Sequence, residues 1–295
     1  MDHGGFFPGG HGDKDSFCEP PVVQHIRRDE IFFVDGDKRR SFMDLCERKD
    51  STEKRHPWEL SRCKAVRSIL EMIPVPEEEY RLLDVGCGDG FISREISRDH
   101  RVRSITGFDI HLSDEQAAEM GSAEGEVTFR NSYDDLKSNY YNLALLLDVL
   151  EHVEQDREYL QDIVRTYIAE GGYFVITVPA YPFLFGSHDR FMKHFRRYTR
   201  KDLLEVIHCA GLECLSSGYL FFSLLPTRVL STSFEKWFPP KVARNRGVGS
   251  WNHGTIVTKA LEFLLNTDVR LEMLLNRAGF TLPGLTVWAL CKKQR

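Results

Sequence analysis

The sequence predicts an α/β fold with helices on both faces of a sheet, and three observations carry that expectation. Short apolar, strand-like runs alternate with segments of helical period between residues 57 and 222. One such run, Arg81-Leu82-Leu83-Asp84-Val85, ends in Gly86-Cys87-Gly88-Asp89-Gly90, a turn with glycine at every second position. A second, β-branched run ends in the acid Asp109, about 20 residues past the last glycine, where a second strand of a nucleotide-binding unit delivers a carboxylate. Strand and helix in alternation build layered α/β architecture with right-handed crossovers.

Taken in chain order, residues 1–56 form an N-terminal extension. Residues 1–20 are rich in Gly, His, Asp and Pro without periodicity, so they are expected to be disordered, being unable to repay the entropy of ordering. His3 and His11 read as incidental to that tail. Residues 22–42 alternate apolar and charged, with Ile31-Phe32-Phe33-Val34 before Asp35-Gly36-Asp37, a strand-and-turn signal for a cap. Pro57 then opens a helix whose apolar face is Trp58, Val66, Ile69, Leu70 and Ile73, ended by Pro74 and Pro76.

After the first strand and glycine turn, Phe91, Ile92 and Ile96 begin a helix face. Ser104 to Ile110 reads as the second strand, Val127 to Tyr133 as the third, and Tyr141 to Asp148 as the fourth, which runs into the polar cluster Val149-Leu150-Glu151-His152-Val153. Tyr159, Leu160, Ile163, Val164, Tyr167 and Ile168 recur at helical steps until Gly171-Gly172, which reads as the stop. Tyr173 to Val178 makes the fifth strand. Thr199 with Asp202 forms a capping box for a helix that ends at Gly211. Leu212 to Phe222 and Leu285 to Cys291 are the last two strands.

The core is therefore expected over 57–222 plus 281–295, with 223–280 as an insertion too long for a hairpin loop. That insertion holds Phe234, Trp237, Phe238 and Trp251 and a helical stretch from Thr255 to Ala278. A packed helical subdomain, a homodimer contact, a lid over an apolar pocket and a membrane-surface element are its four readings.

Composition excludes some classes of function. At 295 residues and 42% hydrophobic, the chain can bury one sizeable core with an appended subdomain. A formal charge of −5 and a pI near 6.1 give no global pull toward nucleic acid or anionic membrane, so any such contact must be local. Seven cysteines without paired metal spacing, and no secretory signal, fit reduced thiols and a cytoplasmic protein. No stretch reaches the ~18–20 apolar residues of a membrane span.

Glycines in the turn allow positive φ and let backbone N–H groups close on a ligand. Their spacing departs from the dinucleotide fingerprint by one residue. Asp109 could accept from both hydroxyls of a ribose, as in nicotinamide cofactors and in S-adenosylmethionine. Three segments together, Leu83-Asp84-Val85-Gly86-Cys87-Gly88-Asp89-Gly90, Phe108-Asp109-Ile110 and Leu147-Asp148-Val149-Leu150-Glu151-His152-Val153, resemble class I S-adenosylmethionine-dependent methyltransferases in order and spacing. Glycine spacing and the later motifs fit that class better than a nicotinamide dehydrogenase. Within the class, Val178-Pro179-Ala180-Tyr181-Pro182, His188-Asp189-Arg190 and His194-Phe195-Arg196-Arg197-Tyr198-Thr199 resemble a group related to ubiquinone-type O-methyltransferases.

That resemblance implies a Rossmann-like, seven-stranded mixed sheet with an antiparallel last strand. It also implies that Asp84, Gly86, Cys87, Gly88 and Gly90 lie at the methionine part of S-adenosylmethionine, Asp109 and Ile110 at the ribose, Ser132 and Tyr133 at the adenine, and Asp148 and Val149 beside the cofactor. Many relatives carry Asp where Ser132 stands, so a contact there lacks charge assistance. A second resemblance concerns metal: in some ubiquinone-pathway O-methyltransferases and in small-RNA 2′-O-methyltransferases an acid, a Glu and a His at this spacing hold a divalent ion, the RNA enzymes adding a later His. It implies a mixed N/O site from Asp148, Glu151, His152 and His194, suited to Mg, Mn or Zn. Asp148 replaces a Glu and shortens the reach by a methylene.

Without a metal, His152, His188 and His194 are the candidates for a general base, each also readable as structural. Arg190, Lys193, Arg196, Arg197, Arg200 and Lys201 form the strongest basic run, read either as a solvated loop or as a clamp for an anionic group on the substrate. The functional expectation is methyl transfer to a small, partly apolar acceptor, at oxygen. An RNA 2′-O-methyltransferase is the first alternative, opposed by the acidic net charge and the lack of an RNA-binding module. A cofactor-binding assembly protein is the second.

Overall fold

The computed structural model describes residues 55–75, 78–121, 127–237 and 253–294. The tail expected over 1–20, the strand-and-turn cap expected over 22–42, and Phe238 and Trp251 of the insertion lie outside the described residues. Seven strands form one sheet, β1 (Tyr80–Val85), β2 (Val102–Phe108), β3 (Val127–Arg130), β4 (Tyr141–Leu147), β5 (Ile168–Pro179), β6 (Leu212–Leu220) and β7 (Thr286–Lys293), in the order β3-β2-β1-β4-β5-β7-β6. β1 pairs with β2 and β4 in parallel, and β7 enters antiparallel between β5 and β6, as expected. The chain builds outward from β1 in one direction and then from β4 in the other. The crevice beyond the ends of β1 and β4 is therefore the topological switch point, where open α/β sheets bind ligands.

Helices cover both faces. On one, α4 (Asp156–Tyr167) and α6 (Arg200–Cys209) bury Leu160, Ile163, Leu203 and Val206 against Leu146, Phe174 and Ile176. On the other, α1 (Pro57–Leu70) and α8 (Thr255–Arg277) bury Val66, Ile69, Leu265 and Val269 against Leu82, Leu145 and Trp288. Truncating any one of these to Ala costs about 2–5 kcal/mol through lost burial and the cavity left behind. Three short helices complete the set, α2 (Phe91–Ile96), α3 (Asp114–Gly121) and α5 (Ser187–Phe191), with α7 (Leu225–Trp237) leading toward α8.

Local chemistry sets the helix starts. Glu59 accepts from His56 N at 2.9 Å while His56 Nδ1 accepts from Trp58 N at 3.0 Å, so α1 begins beside its Pro57. At α6 the expected box is present: Thr199 Oγ1 accepts from Asp202 N at 3.2 Å, and Asp202 accepts from Thr199 N at 2.8 Å.

Two boundaries differ from the sequence reading. Gly171-Gly172 do not stop α4; it ends at Tyr167, and β5 starts at once from Ile168. The register against β4 moves from Tyr141↔Ile168 to Leu143↔Tyr173, so the glycines sit in a bulge, Gly171 at φ +73°. β6 ends at Leu220 rather than Phe222, because Phe221 turns left-handed at φ 65°. That exit is pinned from α8: Glu272 accepts from Phe221 N at 3.0 Å and Phe222 N at 2.8 Å, and Asp268 accepts from Ser223 N at 3.1 Å.

Candidate active site

The glycine turn is folded back onto the end of β2. Gly86 N and Cys87 N donate to Phe108 O at 2.7 and 3.1 Å. Gly86 and Gly90 both adopt φ +72°, and neither position admits a side chain: a Cβ on Gly86 would meet Val149 Cγ2 at 2.7 Å, and one on Gly90 would meet Phe129 Cζ at 2.5 Å. The backbone is thus a shallow cradle at the mouth of the crevice. Burial pushes the Cys87 thiol up, with the Asp84 and Asp109 charges adding to the effect, so Cys87 acts as a neutral packing group.

Two buried acids flank the turn. Asp84 Oδ2 accepts from Ser93 Oγ at 2.5 Å, and burial lifts its pKa to about 6. Asp109 is 8% exposed, Oδ2 accepting from Gly88 N at 3.2 Å and Oδ1 from His111 N at 2.9 Å. The acid of the second strand therefore ties two backbone amides and holds the turn's shape. Ile110 packs on the core beside it. Ser132 accepts through Oγ from Asp134 N at 3.3 Å, and the Tyr133 ring packs 4.4 Å from Phe108 with its hydroxyl 3.2 Å from that of Tyr159.

The end of β4 carries the polar cluster. Asp148 takes φ 55°, accepts from Thr177 Oγ1 at 3.1 Å and pairs with Arg62 of α1 at 2.8 Å. The expected set of four ligands is therefore not assembled as a whole. Glu151, His152 and His194 do come together, their ligand atoms all within 4.8 Å of one another, while Asp148 faces Arg62 instead. Phe195 N donates to Glu151 O at 2.8 Å, which brings the later histidine segment onto the turn at Leu150–His152. The His152 and His194 rings meet edge to face at 4.6 Å. Burial, reinforced by His194 and His111, lowers the His152 pKa to about 3, so it is a neutral imidazole at pH 7.

Behind His194 stands Asp189, fully buried at 0% exposure. It accepts from His194 Nδ1 at 3.0 Å, Arg197 Nε at 2.6 Å, Arg228 Nη2 at 2.9 Å and Gly186 N at 2.8 Å. Burial alone would raise its pKa; the bonds and charges of His194 and Arg197 outweigh that and hold it well below the usual carboxylate range. His188 lies nearby, its pKa lowered by burial and by Arg228. Sequence reasoning assigned Asp189 no role, although it lies inside a quoted motif, and it missed Arg62 and Arg228 altogether.

The glycine turn, the end of β4 and the His194 segment open on one cavity of about 1230 Å³. Its polar wall includes Asp84, Gly86, Gly88, Asp148, Glu151, His152, His188 and His194, and its apolar wall includes Leu224, Leu230, Phe234, Leu261 and Leu265. Asp109, Ile110, Ser132, Tyr133 and Val149 are not part of that lining. The basic run disperses. Arg197 turns inward to Asp189, Arg200 donates to Ser217 Oγ at 2.8 Å, and Arg196 pairs with Asp156 at 3.1 Å.

A sheet of this order, with a glycine turn at its switch point and a buried acid on the neighbouring strand, defines a class I S-adenosylmethionine-dependent methyltransferase, and the backbone of Gly86 to Gly88 with Asp84 lines the cavity where that cofactor fits. The chain belongs to the methyltransferase domain family, whose model matches residues 58–217. It is 29% identical over 100 residues to the ubiquinone biosynthesis O-methyltransferase of Rickettsia canadensis, a stretch covering 32% of this chain and 41% of that enzyme. It is 27% identical over 88 residues to the mitochondrial ubiquinone biosynthesis O-methyltransferase of Saccharomyces cerevisiae, covering 28% of each. The matched stretches thus span less than half the length of these relatives. Among solved structures, the [4+2]-cyclase SpnF is 17% identical, covering 83% of this chain and 84% of its own, with a TM-score of 0.48. An S-adenosylmethionine-dependent methyltransferase from Archaeoglobus fulgidus is 14% identical, covering 79% and 94%, with a TM-score of 0.44.

Proposed function

We propose that this enzyme methylates a hydroxyl oxygen of a small, partly apolar acceptor, with His194 as the general base. The supporting observation is that one cavity is lined both by the glycine cradle and by the His194 that Asp189 orients. Because the Asp189 carboxylate accepts from Nδ1, His194 carries its proton there and keeps a lone pair on Nε2 for an acceptor hydroxyl. S-adenosylmethionine, when bound, supplies a methyl group on a sulfonium for in-line displacement, so the protein contributes alignment and exclusion of water. Gly86, Gly88 and Gly90 with Asp84 would hold the methionine part, Asp109 with Ile110 the ribose, Ser132 with Tyr133 the adenine, and Asp148 with Val149 the edge nearest the acceptor.

The acceptor wall is apolar where α7 and α8 contribute Leu230, Phe234, Leu261 and Leu265, which supports reading the 223–280 insertion as a lid. Two guanidiniums, Arg197 and Arg228, face the carboxylate of Asp189, and Glu235 acts on Arg228 as a second acid, so charge is close to balanced behind His194.

The grouping of Glu151, His152 and His194 supports a second reading, in which these three bind Mn or Zn and the ion lowers the pKa of the acceptor hydroxyl. Calorimetry with S-adenosylmethionine and S-adenosylhomocysteine, before and after chelation, paired with methyl transfer to a panel of hydroxylated acceptors, separates the two. His194→Ala should leave cofactor affinity within about two-fold and lower methyl transfer by about 10²-fold or more. Chelation leaves transfer intact under the first reading and abolishes it under the second. Full activity in His194→Ala after chelation would defeat both.

A further inference from the structure

Strands β6 and β7 each bring a cysteine to the same rung of the sheet. Cys214 of β6 lies directly opposite Cys291 of β7 in the antiparallel register, so the two side chains stand on one face. Directly opposed residues of an antiparallel pair have Cα atoms ~4.5–5.5 Å apart, within the ~4.4–6.8 Å that a disulfide spans. Both cysteines are free thiols, and the Cys291 S–H donates to the Cys214 sulfur. Between Cys214 and Ser216 the register slips by one residue. Without that bulge at Leu215, Ser217 would stand on the opposite face of the sheet; with it, Ser217 joins Cys214.

The two thiols are not equivalent. Cys291 is 0% exposed, whereas Cys214 is half-buried on the edge strand of the sheet. Arg200, the first residue of α6, donates through Nε to Ser217 Oγ at 2.8 Å, which leaves the hydroxyl proton of Ser217 for the Cys214 sulfur. The hydrogen bond from Cys291 outweighs burial and, with the Ser217 bond and the Arg200 charge, pulls the Cys214 thiol down to about 6. Burial pushes the Cys291 thiol up. At neutral pH a thiolate therefore faces outward with a protonated thiol behind it, the arrangement of an attacking and a resolving cysteine. Cys214, Cys291, Ser217 and Arg200 are all outside the lining of the large cavity. The chain between the two cysteines contains the whole 223–280 insertion, which leaves the sheet from β6 and returns to it through β7.

We propose that Cys214 and Cys291 form a site of reversible oxidation by hydroperoxides, closing to a disulfide that ties together the two strands from which the 223–280 insertion springs. The Cys214 thiolate attacks the outer oxygen of the hydroperoxide: an S–O bond forms, the O–O bond breaks, and the alkoxide or hydroxide released takes up a proton. The Cys291 sulfur then attacks the sulfenic acid on Cys214, giving up its proton as the S–S bond forms and the hydroxyl leaves as water. Two thiols thus lose two electrons to one hydroperoxide, and a dithiol reductant reverses the reaction. The site stands whether or not the cavity transfers methyl groups. Full-length protein treated with hydrogen peroxide, quenched in acid, alkylated and mapped by mass spectrometry after proteolysis tests it. A bridge between Cys214 and Cys291 is expected, removed by dithiothreitol, and the oxidised protein should melt at least about 4 °C above the reduced one. Cys291→Ala should stop at a sulfenic acid on Cys214, trapped by dimedone, and Cys214→Ser should leave Cys291 reduced. Arg200→Gln should move the pH of half-maximal oxidation rate upward from about 6, a readout that a merely structural role would leave in place. Alkylation of both cysteines after peroxide, a bridge from either one to a different cysteine, or an unchanged pH profile in Arg200→Gln would overturn the proposal.

Discussion

Asp189→Asn tests the electrostatic centre of the site. The carboxylate is fully buried and takes four hydrogen bonds, two of them from the guanidiniums of Arg197 and Arg228. Asparagine has nearly the same shape but no charge, and its NH2 turns a donor toward groups that are themselves donors. Removing one partner of a buried ion pair costs about 3–5 kcal/mol, because the remaining charges stay desolvated and uncompensated. For a domain of this size each kcal/mol moves the melting temperature by roughly 2–4 °C, so a fall of about 6–20 °C is expected. A contrasting control is Glu205→Gln, whose pair with Lys201 spans 3.8 Å between side chains 50% and 85% exposed; it should change stability by about 0.5 kcal/mol or less. The sign of the pH dependence is also determined. The Asp189 pKa is lowered by folding, so its contribution is complete above the unfolded value near ~3.9 and is lost as pH falls below it. Wild type and variant should therefore differ by a constant amount above about pH 4, and the gap should begin to narrow as pH falls to 3. Calorimetric melting from pH 3 to pH 8 reads this directly. A loss under about 4 °C at neutral pH, or a gap that does not begin to narrow below about pH 4, would refute the assignment of Asp189 as the buried counter-ion.

Three further outcomes are expected. Gly90→Ala adds a Cβ 2.5 Å from the Phe129 ring at φ +72°, and should cost about 2–4 kcal/mol in urea denaturation; a cost under about 1 kcal/mol would show that Phe129 moves aside freely. Asp109→Ala should weaken S-adenosylhomocysteine binding by about 10–100-fold in calorimetry, through loss of a charge-assisted acceptor and of the Gly88 amide's partner, and unchanged affinity would remove Asp109 from the ribose role. His152 is kept neutral on folding, so the unfolded chain gains a proton near ~6.5 that the folded protein refuses until pH is about 3, and stability should fall as pH drops through that window. Comparing urea midpoints at pH 7.5 and pH 5, His152→Gln should recover on the order of 1 kcal/mol of that fall, and parallel acid limbs would contradict it.

The elements legible in the sequence were those whose signal is local. The apolar run before Gly86, the acid ending β2 and the Thr199–Asp202 box each announce themselves within a few residues, because strand periodicity, glycine's left-handed backbone and capping are short-range effects. The Gly171-Gly172 error has the same origin: a glycine after a helical pattern reads alike as a helix stop or as a bulge, and only pairing with β4 decides between them. The site was legible as residue types but not as partnerships. Asp148 was expected beside Glu151 and His152, yet it pairs with Arg62, a residue brought over the crevice by α1 packing on α8. Ser132 and Tyr133 read as ligand contacts by position, while the serine closes its own turn and the tyrosine ring packs beside Phe108.

Asp189 shows why the missing part matters for function. His194, Arg197 and Asp189 lie within nine residues of one another and share a single segment after β5, but the fourth side chain of the group, Arg228, comes from α7. Glu235 of α7 also accepts from Ser187 N and Oγ, two residues before Asp189. The insertion is therefore anchored to the segment that carries His194 through two buried or half-buried carboxylates. The same helix presents Leu230 and Phe234 outward at the rim. Any contact that displaces α7 must stretch the Arg228–Asp189 and Glu235–Ser187 bonds, and Asp189 is the group that sets which nitrogen of His194 holds the proton. Helix α7 and His194, the proposed proton acceptor, are thus joined by charge-assisted hydrogen bonds rather than by proximity alone.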